Sequence, residues 1–287
     1  MSKPVAISSD SLCDIGQDLK DKYNISYVPY YIILNGKQYK DNINIFTPDL
    51  YKAFRETGVL PKTAANGIDA YEKHFTKLKD QGFDVVHVSA GSGISGAWNN
   101  ASVAADKMEG VYVVDSCSIS SGIGLLAING ARMSRSGMSA KDIFETLQEM
   151  AHRVRITFVL STLDFMVAGG RVPDLAARAM GAIKLKPSIE TTPKDGKMKI
   201  AKIYRGKIER VWIKMVDDHM NKYKDTISTD EIFVTHSGEI TDDQVNIVVD
   251  QIKKYNEFKK IYVTQASCTC STHAGPACLG TLFVTKN

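Results

Sequence analysis

Between Val5 and Val114, short apolar runs alternate with stretches of helical period, and this alternation restricts the fold more than any other feature. Val5-Ala6-Ile7 reads as a strand and Ile25 to Leu34 as a longer one. Pro48 to Phe54 opens a helix with its proline in the first turn, where a missing amide hydrogen costs nothing. Asp69 to Lys79 places Tyr71, Phe75 and Leu78 at helical spacing; a strand Phe83 to Val88, a helix Ala97 to Met108 and a strand Val111 to Val114 follow. A series of βαβ units predicts a mostly parallel sheet with helices on both faces. Ligands of such sheets bind outside the carboxyl ends of the strands.

After helices expected over Gly122 to Met133 and Ala140 to His152 the character changes. Thr157 to Leu160, Lys199 to Tyr204, Ile232 to Val234, Lys260 to Val263 and Thr281 to Val284 read as strands. Ile208 to Lys222 and Asp242 to Tyr255 read as helices. The expected class is α/β in two domains. Residues 1–155 should form a Rossmann-like, mostly parallel sheet, and residues 156–287 an α+β domain with a mixed or antiparallel sheet and a hairpin around Thr192 to Gly196.

At one predicted carboxyl end, between Val85-Val86-His87-Val88 and the helix from Ala97, stands Gly91-Ser92-Gly93-Ile94-Ser95-Gly96. Glycines allow tight turns and close approach. Serine hydroxyls add donors where the first amides of a helix lack partners, so the loop reads as an anion site. Three chemistries compete for it or for its surroundings. The glycines at 91, 93 and 96 match a dinucleotide fingerprint, with Asp115 ending the next strand 19 residues after Gly96, which would make the chain an NAD(P)-dependent oxidoreductase. Gly93-Ile94-Ser95-Gly96-Ala97 approaches a nucleophile elbow, making Ser95 a hydrolase serine with His236 or His273 as base. Cys268, Cys270, His273 and Cys278 could be grouped as zinc ligands, but from one irregular loop without paired C-x2-C spacing. Small buried thiols and no metal are the expectation.

The formal charge is only +4 over 287 residues, which disfavours a dedicated nucleic-acid binder. The segment 184–214 carries ten basic and three acidic residues, as a solvated hairpin face or a docking surface for an acidic partner. No run has the length of a membrane span, no signal-peptide core follows Met1, and the five cysteines suggest reduced thiols, so a cytoplasmic protein is expected.

Taken in order, a set of short motifs resembles the DegV family. They are Asp10-Ser11-Leu12-Cys13-Asp14, Ile25 to Pro29, Gly36 to Asp41, Pro61-Lys62-Thr63, Gly91 to Gly96, Val114-Asp115-Ser116 and Ser121 to Gly124. Gly169-Gly170-Arg171-Val172, Lys184 to Pro187, Arg205 and His273-Ala274-Gly275-Pro276 complete the set. The resemblance implies a two-domain fatty-acid-binding protein without a cofactor, one lipid lying between the domains. Its carboxylate would be held by Thr63 and Ser95, with Ser92, Gly93 and Gly96 in the loop and Arg171, Arg205 and His273 in support. It also implies a carrier rather than an enzyme, whose acyl group is phosphorylated by a separate fatty acid kinase; the segment 184–214 is the candidate docking face. The chain departs from the family pattern at Ala64-Ala65-Asn66 and at Ala97-Trp98, and Trp98 is expected to fill part of the cavity mouth.

Overall fold

The computed structural model describes residues 3–172, 185–255 and 257–286. Its first sheet is parallel, with order β2-β1-β6-β7, where β1 is Val5–Asp10, β2 Ser26–Val28, β6 Asp84–Ser89 and β7 Val111–Asp115. All of β6 except Asp84 is buried, as expected of a strand covered on both faces. Helices α3 (Ile68–Asp80) and α4 (Ala97–Ala105) pack together against it, as do α5 (Ser121–Arg135) and α6 (Ala140–Ala151). The strand order reverses between β1 and β6, so their carboxyl ends, Asp10 and Ser89, flank the crevice where such sheets take ligands.

The sequence read Ile25 to Leu34 as one strand, but the structure breaks it at Pro29-Tyr30. Proline lacks the ladder amide, and the chain leaves the parallel sheet to build a second, small one. That sheet has order β4-β3-β5, with β3 Tyr31–Leu34, β4 Lys37–Lys40 and β5 Lys62–Ala64. Helices α1 (Gly16–Tyr23) and α2 (Thr47–Thr57) complete this half.

The third sheet has six strands in the order β10-β9-β8-β13-β11-β12: β8 Val154–Val159, β9 Leu185–Thr191, β10 Met198–Arg205, β11 Ile227–His236, β12 Lys260–Gln265 and β13 Leu279–Thr285. Only β11 and β12 are parallel; the other pairs are antiparallel, so this sheet is mixed. It carries α7 (Asp164–Gly169), α8 (Ile208–Tyr223), α9 (Asp242–Lys253) and α10 (Cys268–Ala274). Helix α5 contacts β1 and β6 on one side and β13 and β8 on the other, which explains why its residues 121–128 are all buried. One apolar core therefore runs from Ile7 and Val86 through Ile123 and Leu126 to Leu282 and Val284.

The hairpin β9–β10 pairs Thr191 with Met198 as the turn chemistry predicts, but its tip is not simply solvated. The Gly93 amide donates to the Asp195 carbonyl (2.8 Å), the Cys117 thiol to the Lys194 carbonyl (3.2 Å) and His152 Nδ1 to the Pro193 carbonyl (2.8 Å). The tip is thus pinned to the loops that follow β6 and β7. Of the basic segment, Lys184 lies outside the described residues; Lys199, Lys202, Arg205 and Lys207 are exposed on or just beyond the edge strand β10.

Candidate functional site

Asp10 organises the crevice. Its buried carboxylate accepts from Tyr71 Oη (2.7 Å), Ser89 Oγ (2.8 Å) and the Ala90 amide (2.9 Å), tying the end of β1 to the start of the glycine loop. Burial alone would raise its pKa. The neighbouring His87 and these donors outweigh burial and hold the carboxyl below its ordinary range, so it stays ionised.

The loop itself differs from the sequence reading. Gly91, Gly93 and Gly96 all have ordinary negative φ values, so no left-handed turn demands them. Gly91 and Gly93 are required by protein. A Cβ on Gly91 would lie 2.8 Å from the Ser118 amide nitrogen, and one on Gly93 would lie 2.7 Å from the Asp195 carbonyl oxygen. The loop amides are committed too. Gly91 donates to Ser118 O (2.9 Å), Gly93 to Asp195 O, and Ser92 to Asp115 Oδ1 (3.1 Å). A pyrophosphate would need those same amides. Asp115 caps the Ser92 and Cys117 amides, which uses the group a ribose would bind.

What remains open is a cleft of about 330 Å³. Thr63, Ser92, Gly93, Ser95, Gly96, Arg171 and His273 all line it, so seven of the eight residues singled out in the sequence come together. Arg205 does not: it sits exposed at the end of β10, because the alternation along that edge strand turns Tyr204 inward instead. Trp98 does not line the cleft either; from the first turn of α4 it packs on the core.

Two hydroxyls in the cleft are preset as donors. Ser95 Oγ accepts from the Ala97 amide (3.2 Å) and lies 2.8 Å from the phenol of Tyr30. A hydroxyl has one proton and two acceptor sites; we assign Tyr30 as the donor of this pair, which leaves the serine proton for the cleft. Burial raises the Tyr30 phenol well above its ordinary range, which keeps that proton in place. Nothing in the sequence marked Tyr30, the first of two adjacent tyrosines inside what read as one strand.

Thr63 is set on β5 by its pairing opposite Ile32, and its Oγ1 lies 2.9 Å from His273 Nε2. Burial, then the charge of Arg171, lowers the His273 pKa to about 4, so the ring is neutral near neutral pH. We assign its proton to Nε2 from the network, because Nδ1 is buried without a partner among the described residues and faces the Cα of Gly169. The ring then donates to Thr63, and the threonine proton is free as well.

His273 comes from α10, where the sequence suggested an irregular loop. Cys-Thr-Cys-Ser-Thr-His has no apolar period, and the helix stands on distant carboxylates instead. Asp14 accepts the Ser267 amide (2.9 Å); Asp41 accepts the Cys268 amide (2.9 Å) and the Thr269 hydroxyl (2.6 Å). The thiols diverge, Cys268 toward Ile45 O and Cys270 toward Leu12 O, so they do not share one point as metal ligands would. No described histidine bonds Ser95: His273 is engaged with Thr63, and His236 Nδ1 accepts the Gly238 amide (3.2 Å).

Ile119, Met198 and His273 also line a narrow apolar recess of about 60 Å³ behind the cleft, walled by Phe158, Met166, Cys278 and Leu282 between helices α7 and α10 and the six-stranded sheet. The site therefore has a polar mouth and an apolar interior.

The family model described as "Uncharacterised protein, DegV family" matches residues 4–286. A DegV domain-containing protein of Caldanaerobacter subterraneus subsp. tengcongensis is 30% identical over 285 residues, covering 98% of this chain and 99% of the relative. Among solved structures, "Fatty Acid Binding of a DegV family Protein" from Thermus thermophilus superposes with a TM-score of 0.87 at 21% identity, covering 98% and 99% of the two chains. A hypothetical protein of Thermotoga maritima, whose structure "reveals fatty acid binding function", gives 0.83 at 25% identity over 98% and 99%. No helix among the described residues is long and apolar enough to cross a membrane.

Proposed function

The chain belongs to the DegV family, and from that membership we propose that it binds one long-chain fatty acid, its carboxylate held by Thr63 and Ser95 and its tail directed inward past Met198. The observation that carries the reading is that each of the two hydroxyls is backed by a buried polar group. Tyr30 behind Ser95 and His273 behind Thr63 leave two hydroxyl protons facing one cleft. A carboxylate is a compact anion that two such donors satisfy, each charge-assisted bond contributing about 1.5–3 kcal/mol. Arg171 at the rim adds long-range attraction.

Affinity comes chiefly from the tail. About 14 buried methylenes at ~0.8 kcal/mol each favour binding by roughly 11 kcal/mol before association losses. The recess, at about 60 Å³, is too narrow for a long acyl chain, so the tail enters by displacing side chains. Met166 and Met198, unbranched and flexible, yield most readily.

The division into residues 1–155 and 156–287 is part of the same proposal, with the boundary falling within β8: the sheet that β8 begins is the one that closes over the tail. The chain would act as a carrier, presenting the head group to a separate fatty acid kinase, with the exposed cations of β10 as docking face. Against a nicotinamide enzyme stand the committed loop amides and Asp115; against a serine hydrolase stands the lack of a base on Ser95 among the described residues. Calorimetric titration of delipidated protein with oleate tests the reading. It predicts one site per chain, lost in a Thr63→Ala/Ser95→Ala double variant. An unchanged affinity in that variant removes these residues from the site.

A further inference from the structure

A second cavity, of about 720 Å³, lies at the other end of the molecule. Strand β11 runs from it, at Ser228 to Glu231, to the apolar recess at Thr235 and His236, so the two sites are separated by the length of the strand. Six cations (Lys22, Arg132, Arg153, Lys259, Lys260 and Lys286) line this cavity against two carboxylates, Asp230 and Glu231, an excess of +4. None of these belongs to the basic segment 184–214, whose excess is +7. With a formal total of +4, the remainder of the chain sums to −7. The positive charge is therefore concentrated in two places on an otherwise acidic chain; Lys199 and Lys202 of the basic segment line a cavity of about 400 Å³ that also holds Glu190 and Asp218, whereas the six cations here share a larger one of about 720 Å³.

Both carboxylates are already used inside it. Arg132 forks onto the two oxygens of Glu231, which also accepts the Tyr262 hydroxyl (3.0 Å), and Lys259 pairs with Asp230 Oδ1 (2.6 Å). Lys22, Arg153 and Lys260 have no carboxylate within ion-pair distance among the described residues. Leu125, Met150 and Val284 contribute an apolar floor. A concave wall focuses the field of such cations, and a pocket of this size suits a small molecule.

We propose that this cleft binds a small soluble molecule carrying several phosphate groups. The unpaired lysines and Arg153 take the phosphate oxygens, and the floor takes any apolar portion. A single orthophosphate would leave most of the excess charge unmatched, so a polyphosphate binds better.

The probe is inorganic tripolyphosphate, titrated calorimetrically at low salt against orthophosphate at matched ionic strength. One saturable site per chain is expected, weakened by salt. Lys22→Gln/Lys260→Gln, two exposed positions, should weaken binding at least about tenfold by removing two charge-assisted contacts. Lys22→Arg/Lys260→Arg should restore it, and oleate affinity should stay unchanged in both. Binding no tighter than that of orthophosphate, or unaffected by the glutamine pair, overturns the proposal. So does binding confined to anionic vesicles or nucleic acid with none of tripolyphosphate.

Discussion

The phenol of Tyr30 lies 2.8 Å from the hydroxyl of Ser95, and this pair decides where the serine proton points. Tyr30 is 4% exposed and reaches the cleft because Pro29 ends β2 and turns the chain toward the small sheet. Its amide donates to Ser11 Oγ (3.0 Å) and its carbonyl accepts the Asp41 amide (2.9 Å), so backbone and side chain are both held.

Tyr30→Phe removes the donor behind Ser95 and leaves the serine free to turn away. The expected loss is about 0.5–1.5 kcal/mol in fatty-acid binding, or roughly two- to tenfold in Kd. Ser95→Ala loses the carboxylate bond itself, about 1.5–3 kcal/mol. Titration with oleate measures both, and circular dichroism checks that the fold persists.

Gly169→Ala tests the placement of His273. A Cβ there would sit 2.2 Å from His273 Nδ1, so the ring must shift away from Thr63. Overpacking of this kind costs about 1–3 kcal/mol of stability. The thermal midpoint and oleate affinity should fall together, with a changed His273 Cε1–H resonance.

Asp14 gives the protein an unusual pH response. Burial pushes its pKa up to about 6, against the Ser120 hydroxyl and Ser267 amide that favour the ionised form. Raised in the folded state, it contributes stability that is full below the unfolded value near 4 and is lost as pH rises through 6, about 3 kcal/mol in all. Asp14→Asn, which mimics the protonated acid, should gain on the parent protein between pH 4 and 7 in chemical denaturation. A constant difference across that range contradicts the assignment.

Three histidines, His219 and His273 buried and His74 half-buried, act in the opposite sense. Burial lowers His273 and His74 to about 4 and His219 to about 3. With folded values below the unfolded 6.5, each contributes stability that is full above pH 6.5 and lost as pH falls toward 4. Unfolding near pH 5 should therefore take up protons from these rings, and His219→Gln should flatten the acid limb of the stability curve.

Much of the architecture was legible because it rests on local period. The helices beginning at Ile68, Ser121 and Ala140 and the strands β6 and β7 stand within a few residues of where apolar spacing placed them. What was hidden depends on distant partners. Helix α10 has no apolar stripe and is held by Asp14 and Asp41, more than 220 residues away in sequence. Gly91 and Gly93 suggested a ligand cradle, yet the backbones of Ser118 and Asp195 occupy that space. Thr63 and Ser95 were named through family motifs; Tyr30, which orients one of them, carries no local signal.

The most direct test is to extract the purified protein with organic solvent and quantify fatty acids by mass spectrometry, then offer oleate to the delipidated protein. Long-chain fatty acid near one equivalent per chain is expected, restored on reloading. Protein that yields no fatty acid and fails to take up oleate would contradict it.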